Sequence, residues 1–273
     1  MGRIDLTGKP ICITGASSGI GRATALACAG AGMPVVINAR REDRLAAVAK
    51  EIADLGGRAV VSVGDVTDRG AMDAMVACCI AEFGSIYAVF ANAGYGLDKP
   101  VHLTDERTMR DMFETNYWGT MQAIWAALPR MMEARSGHVV ICSSTIAKIA
   151  LPGCGAYCAT KAAQNMIGRA MNLELKHRGV HTTTVHPVGT RTEFFGVASA
   201  KSKTAHPTLD QHAPKWLMQP PEAVARGVVR ALRRPVPEVW PSWSWAVRLG
   251  LGITTAFPRL ADLGTKRMVH RDW

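Results

Sequence analysis

The chain has 273 residues, 48% hydrophobic and 20% charged, with a formal net charge of +10. That length can bury a sizeable core in one large domain, and the composition excludes a disordered or fibrous protein. The seven cysteines are an odd number scattered through apolar runs, and no paired C-x-x-C spacing is present. They read as free thiols, so neither a disulfide framework nor a metal site is expected.

The charge is uneven. From Ser199 onward there are 12 Lys and Arg against 5 Asp and Glu, so +7 of the +10 lies in that last stretch. No basic-aromatic motif or helix-turn-helix pattern accompanies it, so nucleic acid is not expected as a partner. The opening MGRIDLTGKPICITG has no long apolar segment with a small-residue cleavage site and no acylation pattern. The expected location is therefore cytoplasmic, with a basic tail suited to a membrane surface or an anionic substrate.

In chain order, KPICITG (9–15) predicts a strand and 19–31 a helix ended by Gly30 and Gly32. PVVINAR (34–40) predicts a second strand, followed by a helix over 41–57 that Gly56 and Gly57 stop. RAVVSVGD (58–65), a helix over 68–83 and SIYAVFANAG (85–94) continue the alternation. A long helix is predicted over 104–133, then the strand GHVVICSS (137–144), a helix over 155–178 and the strand GVHTTTVHP (179–187). A helix over 221–233 and a short strand at PEVW (237–240) complete the series. Strands that are apolar along their whole length and separated by helices predict a parallel sheet covered on both faces. The expected class is a doubly wound, Rossmann-like α/β fold in a single domain, 1–238, with an apolar and basic C-terminal extension, 239–273.

In such a sheet ligands bind beyond the carboxyl ends of the strands, and the suggestive residues fall there. TGASSGIGR (14–22) follows the first strand and opens a helix, the context of a phosphate-binding turn. Gly15, Gly19 and Gly21 would let the backbone approach a pyrophosphate, with Ser17, Ser18 and Ile20 between them. After the second strand a dinucleotide site expects an acid for the ribose 2′-hydroxyl, but here stand Arg40 and Arg41, joined by Arg22 from the glycine turn. Arginines grip a 2′-phosphate, which predicts NADP(H) over NAD(H). Asp65 and Val66 would meet the adenine, and Asn92-Ala93-Gly94 would pass the cofactor. Asn116 sits inside a helical run, an unfavourable place unless its side chain has work. Ser143 and Ser144 end the fifth strand. In GAYCATKAAQ (155–164), Tyr157 and Lys161 are one helical turn apart on one face. An ammonium beside a phenol lowers the phenol's pKa from its usual ~10 toward a useful range.

Jointly these motifs resemble the short-chain dehydrogenase/reductase family over residues 8 to about 195. TGASSGIG resembles its nucleotide-binding turn, NAG its structural motif and YCATK its Y-x-x-x-K signature. A serine thirteen residues before the tyrosine selects Ser144 over Ser143. The resemblance implies that Tyr157 is the general acid in carbonyl reduction and the base in alcohol oxidation. It further implies that Lys161 lowers the tyrosine pKa and holds the nicotinamide ribose, that Ser144 binds the substrate oxygen, and that Asn116 holds a water linking Lys161 to solvent. The family's Pro-Gly pair reads Pro187-Val188-Gly189 here, while Thr192 still matches the threonine near the carboxamide. A substrate lid is expected over 193–218, and a dimer or tetramer is implied. The segment 239–260 holds tryptophans beside basic residues and is expected either to pack on a subunit or to lie on a membrane surface. The expected function is interconversion of a ketone or aldehyde and an alcohol on an apolar substrate. The alternative is a non-catalytic dinucleotide-binding scaffold or sensor.

Overall fold

The computed structural model describes residues 2–202, 218–241, 245–257, 259 and 262. Seven strands form one sheet: β1 Ile11–Thr14, β2 Val35–Ala39, β3 Ala59–Val63, β4 Ala88–Ala91, β5 Gly137–Cys142, β6 Val180–Val185 and β7 Glu238–Val239. Their order is β3-β2-β1-β4-β5-β6-β7, and every adjacent pair is parallel. The predicted doubly wound architecture is the one observed. Because the strand order reverses between β1 and β4, a crevice forms along the carboxyl ends of the strands.

Side chains alternate across the sheet with the period of two that a strand imposes. Ile11, Ile13, Val35, Ile37 and Phe90 face one side. There they meet Leu45, Val48 and Ile52 of α2 (Glu42–Asp54) and Val224, Val228 and Leu232 of α8 (Pro221–Arg233), with α1 (Gly19–Ala29) between them. Cys12, Val36, Val89, Val139 and Ile141 face the other side. They pack on Met72, Met75 and Val76 of α3 (Arg69–Phe83) and on Ile124, Ala127 and Met131 of α5 (Gly119–Glu133). Each of the fully buried Leu, Ile, Val, Phe and Met side chains contributes about 1.5–3 kcal/mol.

The helix predicted over 104–133 is three pieces. α4 spans Glu106–Phe113, a π turn covers Glu114–Trp118, and α5 follows. The Gly119 N–H reaches back five residues to the Glu114 carbonyl, which inserts one extra residue into the turn. The helix predicted over 155–178 is α6, Gly155–Leu175, closed by a 3₁₀ turn at Lys176–Arg178 and by Gly179 at φ 80°. Of the predicted lid, α7 (Phe194–Ser202) is described, and residues 203–217 lie outside the described residues. Within 239–260, α9 (Trp245–Ala256) is a helix of 12 residues, and the Thr255 hydroxyl approaches the Lys148 carbonyl at 3.2 Å. Among the described residues no helix is long and apolar enough to cross a membrane.

Two buried histidines tie stability to pH. His138 on β5 is fully buried, with Nε2 2.8 Å from the Thr183 hydroxyl, and burial, with His181 adding, pushes its pKa down to about 3. His186, just past β6, donates from Nδ1 to the Ser144 carbonyl at 3.0 Å and stacks on Trp240. Burial takes its pKa down to about 4, against opposing contributions from Ser144 and Glu238. Both rings are neutral when folded and take up a proton near pH 6.5 when unfolded, so their contribution is complete above that pH and is lost as pH falls toward the folded values. Urea unfolding at pH 7.5 and pH 5 should therefore show a loss of roughly 2 kcal/mol per histidine at the lower pH. Equal stability at the two values would mean that the rings are charged in the fold.

Candidate active site

A cavity of about 740 Å³ opens in the crevice, lined from one side by the glycine turn and from the other by β5, α6 and the start of α7. The turn is held by the end of β1. The Thr14 hydroxyl accepts from the main-chain N–H groups of Asn92 at 3.0 Å and Ala93 at 3.1 Å. The Asn92 amide donates back to the Thr14 carbonyl at 3.0 Å and to the Gly15 carbonyl at 3.3 Å. The two loops approach so closely that a Cβ at Gly15, where φ is 64°, would lie 2.9 Å from the Ala93 Cα. One at Gly21 would lie 2.2 Å from the Gly15 carbonyl. Ser17, Ser18, Gly19 and Ile20 line the cavity, as do Arg40, Arg41, Asp65, Val66, Asn92, Ala93 and Gly94.

Two expected cofactor residues stand elsewhere. Gly21 packs behind the turn. Arg22 turns away from the cavity and forms a two-pronged ion pair with Glu51 on α2. Its helix position aims it at the neighbouring helix, where a carboxylate is available. Arg41 donates to the Ser17 and Ser18 hydroxyls, both at 3.1 Å, and to Glu193 at 3.0 Å. Glu193 also takes Arg44 at 3.1 Å, and its pKa is lowered, chiefly by the Arg41 hydrogen bond. Arg40 is the more available guanidinium. It is 77% exposed, with a long 3.5 Å contact to Asp65.

On the opposite wall, Ser144 and Tyr157 face the same space. The Ser143 hydroxyl is taken up by the Lys161 carbonyl at 2.9 Å, which leaves Ser144 as the available serine. The Tyr157 phenol is buried, and its ring packs 5.3 Å from that of Phe194. Burial, reinforced by the Cys142, Cys158 and Cys154 thiols, holds its pKa well above 10, while a hydrogen bond with Ser144 opposes this. The net direction for the phenol is upward because desolvation dominates, and the Lys161 nitrogen stands 5.7 Å from the ring centroid. Lys161 itself is pushed down to about 8 by burial, with Cys142 opposing. Its Nζ donates to the Cys142 carbonyl at 2.7 Å and to Gln164 Oε1 at 2.8 Å.

Asn116 is fully buried behind the cavity, in the π turn. Its side chain clamps the Tyr95 main chain in both directions, accepting from N and donating to O, each at 2.9 Å, and donates to the Thr160 hydroxyl at 3.1 Å. Its own carbonyl accepts from the Thr120 hydroxyl at 2.8 Å and from Gln164 Nε2 at 2.5 Å. The Asn116 carbonyl, where the resemblance implied a bound water, accepts a hydrogen bond from the Gln164 amide.

Pro187, Val188, Gly189, Thr190 and Thr192 all line the cavity. None has positive φ, so the turn forms without the glycine that Val188 replaces. The Thr192 methyl packs 2.9 Å from where a Cβ at Gly19 would stand, and its hydroxyl accepts from the Phe194 N–H at 3.2 Å. Sequence reasoning missed Gln164 and Glu193. A polar residue three positions after Lys161, on the same helix face, was the available signal for Gln164.

The profile of the short chain dehydrogenase family matches residues 9–203, more than half of the chain. This chain belongs to that family. An uncharacterized oxidoreductase of Listeria monocytogenes is 34% identical over 195 residues, covering 71% of this chain and 79% of that one. A fatty acyl-CoA reductase of Mycobacterium tuberculosis is 34% identical over 220 residues, covering 79% and 74%. A short chain dehydrogenase/reductase from Burkholderia phymatum, solved in complex with NAD, superposes with a TM-score of 0.85 over 94% of this chain and 96% of that one. Its sequence identity is 20%, so it speaks to the fold. The chain is thus an oxidoreductase of the short-chain dehydrogenase family.

Replacing Asn116 with Leu would strip two main-chain partners from Tyr95 and orphan the polar groups around it. Urea unfolding should show a loss of about 3 kcal/mol or more for Asn116→Leu. A loss under about 1 kcal/mol would remove the side chain from its clamping role.

Proposed function

We propose that the protein reduces a ketone or aldehyde to an alcohol, reversibly, with NADP(H) and on an apolar substrate. The observation that supports this best is the convergence of Ser144, Tyr157 and Lys161 on one cavity whose far wall is a glycine turn with no room for a side chain at Gly15. The cavity fits a dinucleotide: a helix N-terminus and a close-approaching backbone at one end suit a pyrophosphate. Gly15, Ser17, Ser18, Gly19 and Ile20 would hold the phosphates, Asp65 and Val66 the adenosine, and Asn92, Ala93, Gly94, Pro187 and Thr192 the nicotinamide end. When bound, the cofactor supplies or accepts the hydride.

The protein's own part is position and protons. A phenol kept above its usual pKa stays protonated at neutral pH, which makes Tyr157 a proton donor to a carbonyl oxygen. The Ser144 hydroxyl donates to the same oxygen and stabilises charge as it develops there. Lys161, charged below about pH 8, supports the phenolate that remains once the proton has left. Ile146, Ile149, Leu151, Phe194 and Val197 give the substrate side an apolar lining, and the relative named as a fatty acyl-CoA reductase agrees with an apolar chain. Arg40 and the hydroxyls of Ser17 and Ser18 offer donors to a 2′-phosphate, while Glu193 already engages Arg41 and Arg44.

Two surface readings accompany this. Trp118, Trp125, Met166 and Leu173 are exposed apolar residues on the α5 and α6 side, suited to a homo-oligomer contact. Leu249, Ile253 and Phe257 recur at every fourth position and are exposed, suited to peripheral contact with a membrane surface.

Tyr157→Phe should abolish NADPH-dependent reduction of hydrophobic ketones, by at least about 10³-fold, given what a positioned acid contributes. NADPH binding, read by fluorescence, should stay within a few-fold, and retained turnover would remove the tyrosine from its role. Arg40→Asp combined with Arg41→Ala should shift the cofactor preference toward NADH. An unchanged ratio of kcat/KM for the two cofactors would refute the 2′-phosphate reading.

A further inference from the structure

We propose that Gln164 is a positioning residue for the reaction: its amide fixes the Lys161 ammonium and closes the space between that ammonium and the Asn116 carbonyl to water. This proposal rests on Tyr157 being the proton donor.

The geometry is a closed chain. Lys161 Nζ donates to Gln164 Oε1 at 2.8 Å; Gln164 Nε2 donates to the Asn116 carbonyl at 2.5 Å and to the Thr120 hydroxyl at 2.7 Å. Thr120 closes the ring by donating to the same Asn116 carbonyl at 2.8 Å. Gln164 and Asn116 are fully buried, and Thr120 and Lys161 nearly so. Both ends of the amide are used, as a buried amide requires. A leucine of similar volume would pack here without any polar group to satisfy, so packing alone does not call for glutamine. The ammonium does call for it. With the Cys142 carbonyl, Gln164 supplies the second fixed acceptor for its three N–H donors.

An amide neither takes up nor releases a proton at neutral pH, so the link from Lys161 through Gln164 to Asn116 holds charge in place without carrying it. The titratable groups facing Lys161 are few. Tyr157 stands on its own helix and Cys142 comes from β5. The turn after β4 presents Gly94, where a Cβ would lie 3.7 Å from Nζ, and the π turn presents Asn116; neither titrates. Removing the Gln164 acceptor is therefore not masked by another charged partner.

The test uses the full chain labelled with [15N]lysine, with the Lys161 Nζ resonance assigned by its loss in Lys161→Met. In Gln164→Leu the titration midpoint of Lys161 should fall by at least one pH unit, and in Gln164→Glu it should rise by at least one. In Gln164→Ala, which vacates room for a water, the Lys161 ammonium hydrogens should exchange with solvent at least tenfold faster than in the wild type. Unchanged midpoints in the leucine and glutamate variants would overturn the positioning role, and unchanged exchange in the alanine variant would overturn the seal. The glutamate variant keeps the shape and decides the first point if the leucine variant fails to fold. These readouts do not depend on turnover. A wild type that shows them without reducing any carbonyl would retain the Gln164 assignment and reject the reading of Tyr157.

Discussion

The site depends on two loops crossing at the carboxyl ends of β1 and β4 with no room for a Cβ between them. The constraint is steric on one side and polar on the other. Gly15 and Gly21 remove the side chains that would hold the loops apart, and Thr14 and Asn92 supply the hydrogen bonds that hold them together. Everything that lines the cavity is placed relative to this crossing. The opening of α1 faces the crevice because the turn before it is this short. β5 and α6 bring Ser144 and Tyr157 to the opposite wall because the parallel sheet aligns every strand end on one edge.

The wall that carries Tyr157 and Lys161 shows burial deciding charge. A phenol and an ammonium placed together suggest from sequence a tyrosine that ionises easily. Once both are buried, desolvation disfavours the phenolate and the ammonium alike, and the neutral phenol prevails while the lysine titrates at about 8. In the proposed reaction the tyrosine keeps its proton until a substrate oxygen is present to take it. The neighbouring carbonyl of Cys142 and the amide of Gln164 keep the lysine oriented meanwhile.

The fold was legible because β-branched runs and helical stretches alternate with clear glycine punctuation, and the strands repeat an apolar pattern on both faces. Ser144, Tyr157, Lys161 and the glycine turn were legible because they are short-range motifs, each complete within a few residues. What escaped was long-range. Arg22 resembles a cofactor ligand until Glu51, 29 residues away, claims it. Arg41 is shared with Glu193 across 152 positions. The π turn escaped because an extra residue in a helix leaves no mark on composition. Asn116 was noticed as out of place, but neither its clamp on Tyr95 nor the glutamine on its carbonyl was foreseen.

That extra residue has a consequence for how the segment tolerates change in length. Each helical residue advances the side-chain direction by roughly 100°. The π turn absorbs its extra residue, so α5 keeps the phase it would have in an unbroken helix one residue shorter. Deleting a single residue between Glu114 and Trp118 would close the turn to regular α-helix and leave Ile124, Ala127 and Met131 against the sheet. A deletion inside α5 has no such slack, and would turn the side chains on one side of the cut by roughly 100° relative to the other. The π turn is thus the one place in this segment where the chain can lose a residue without moving the helix beyond it.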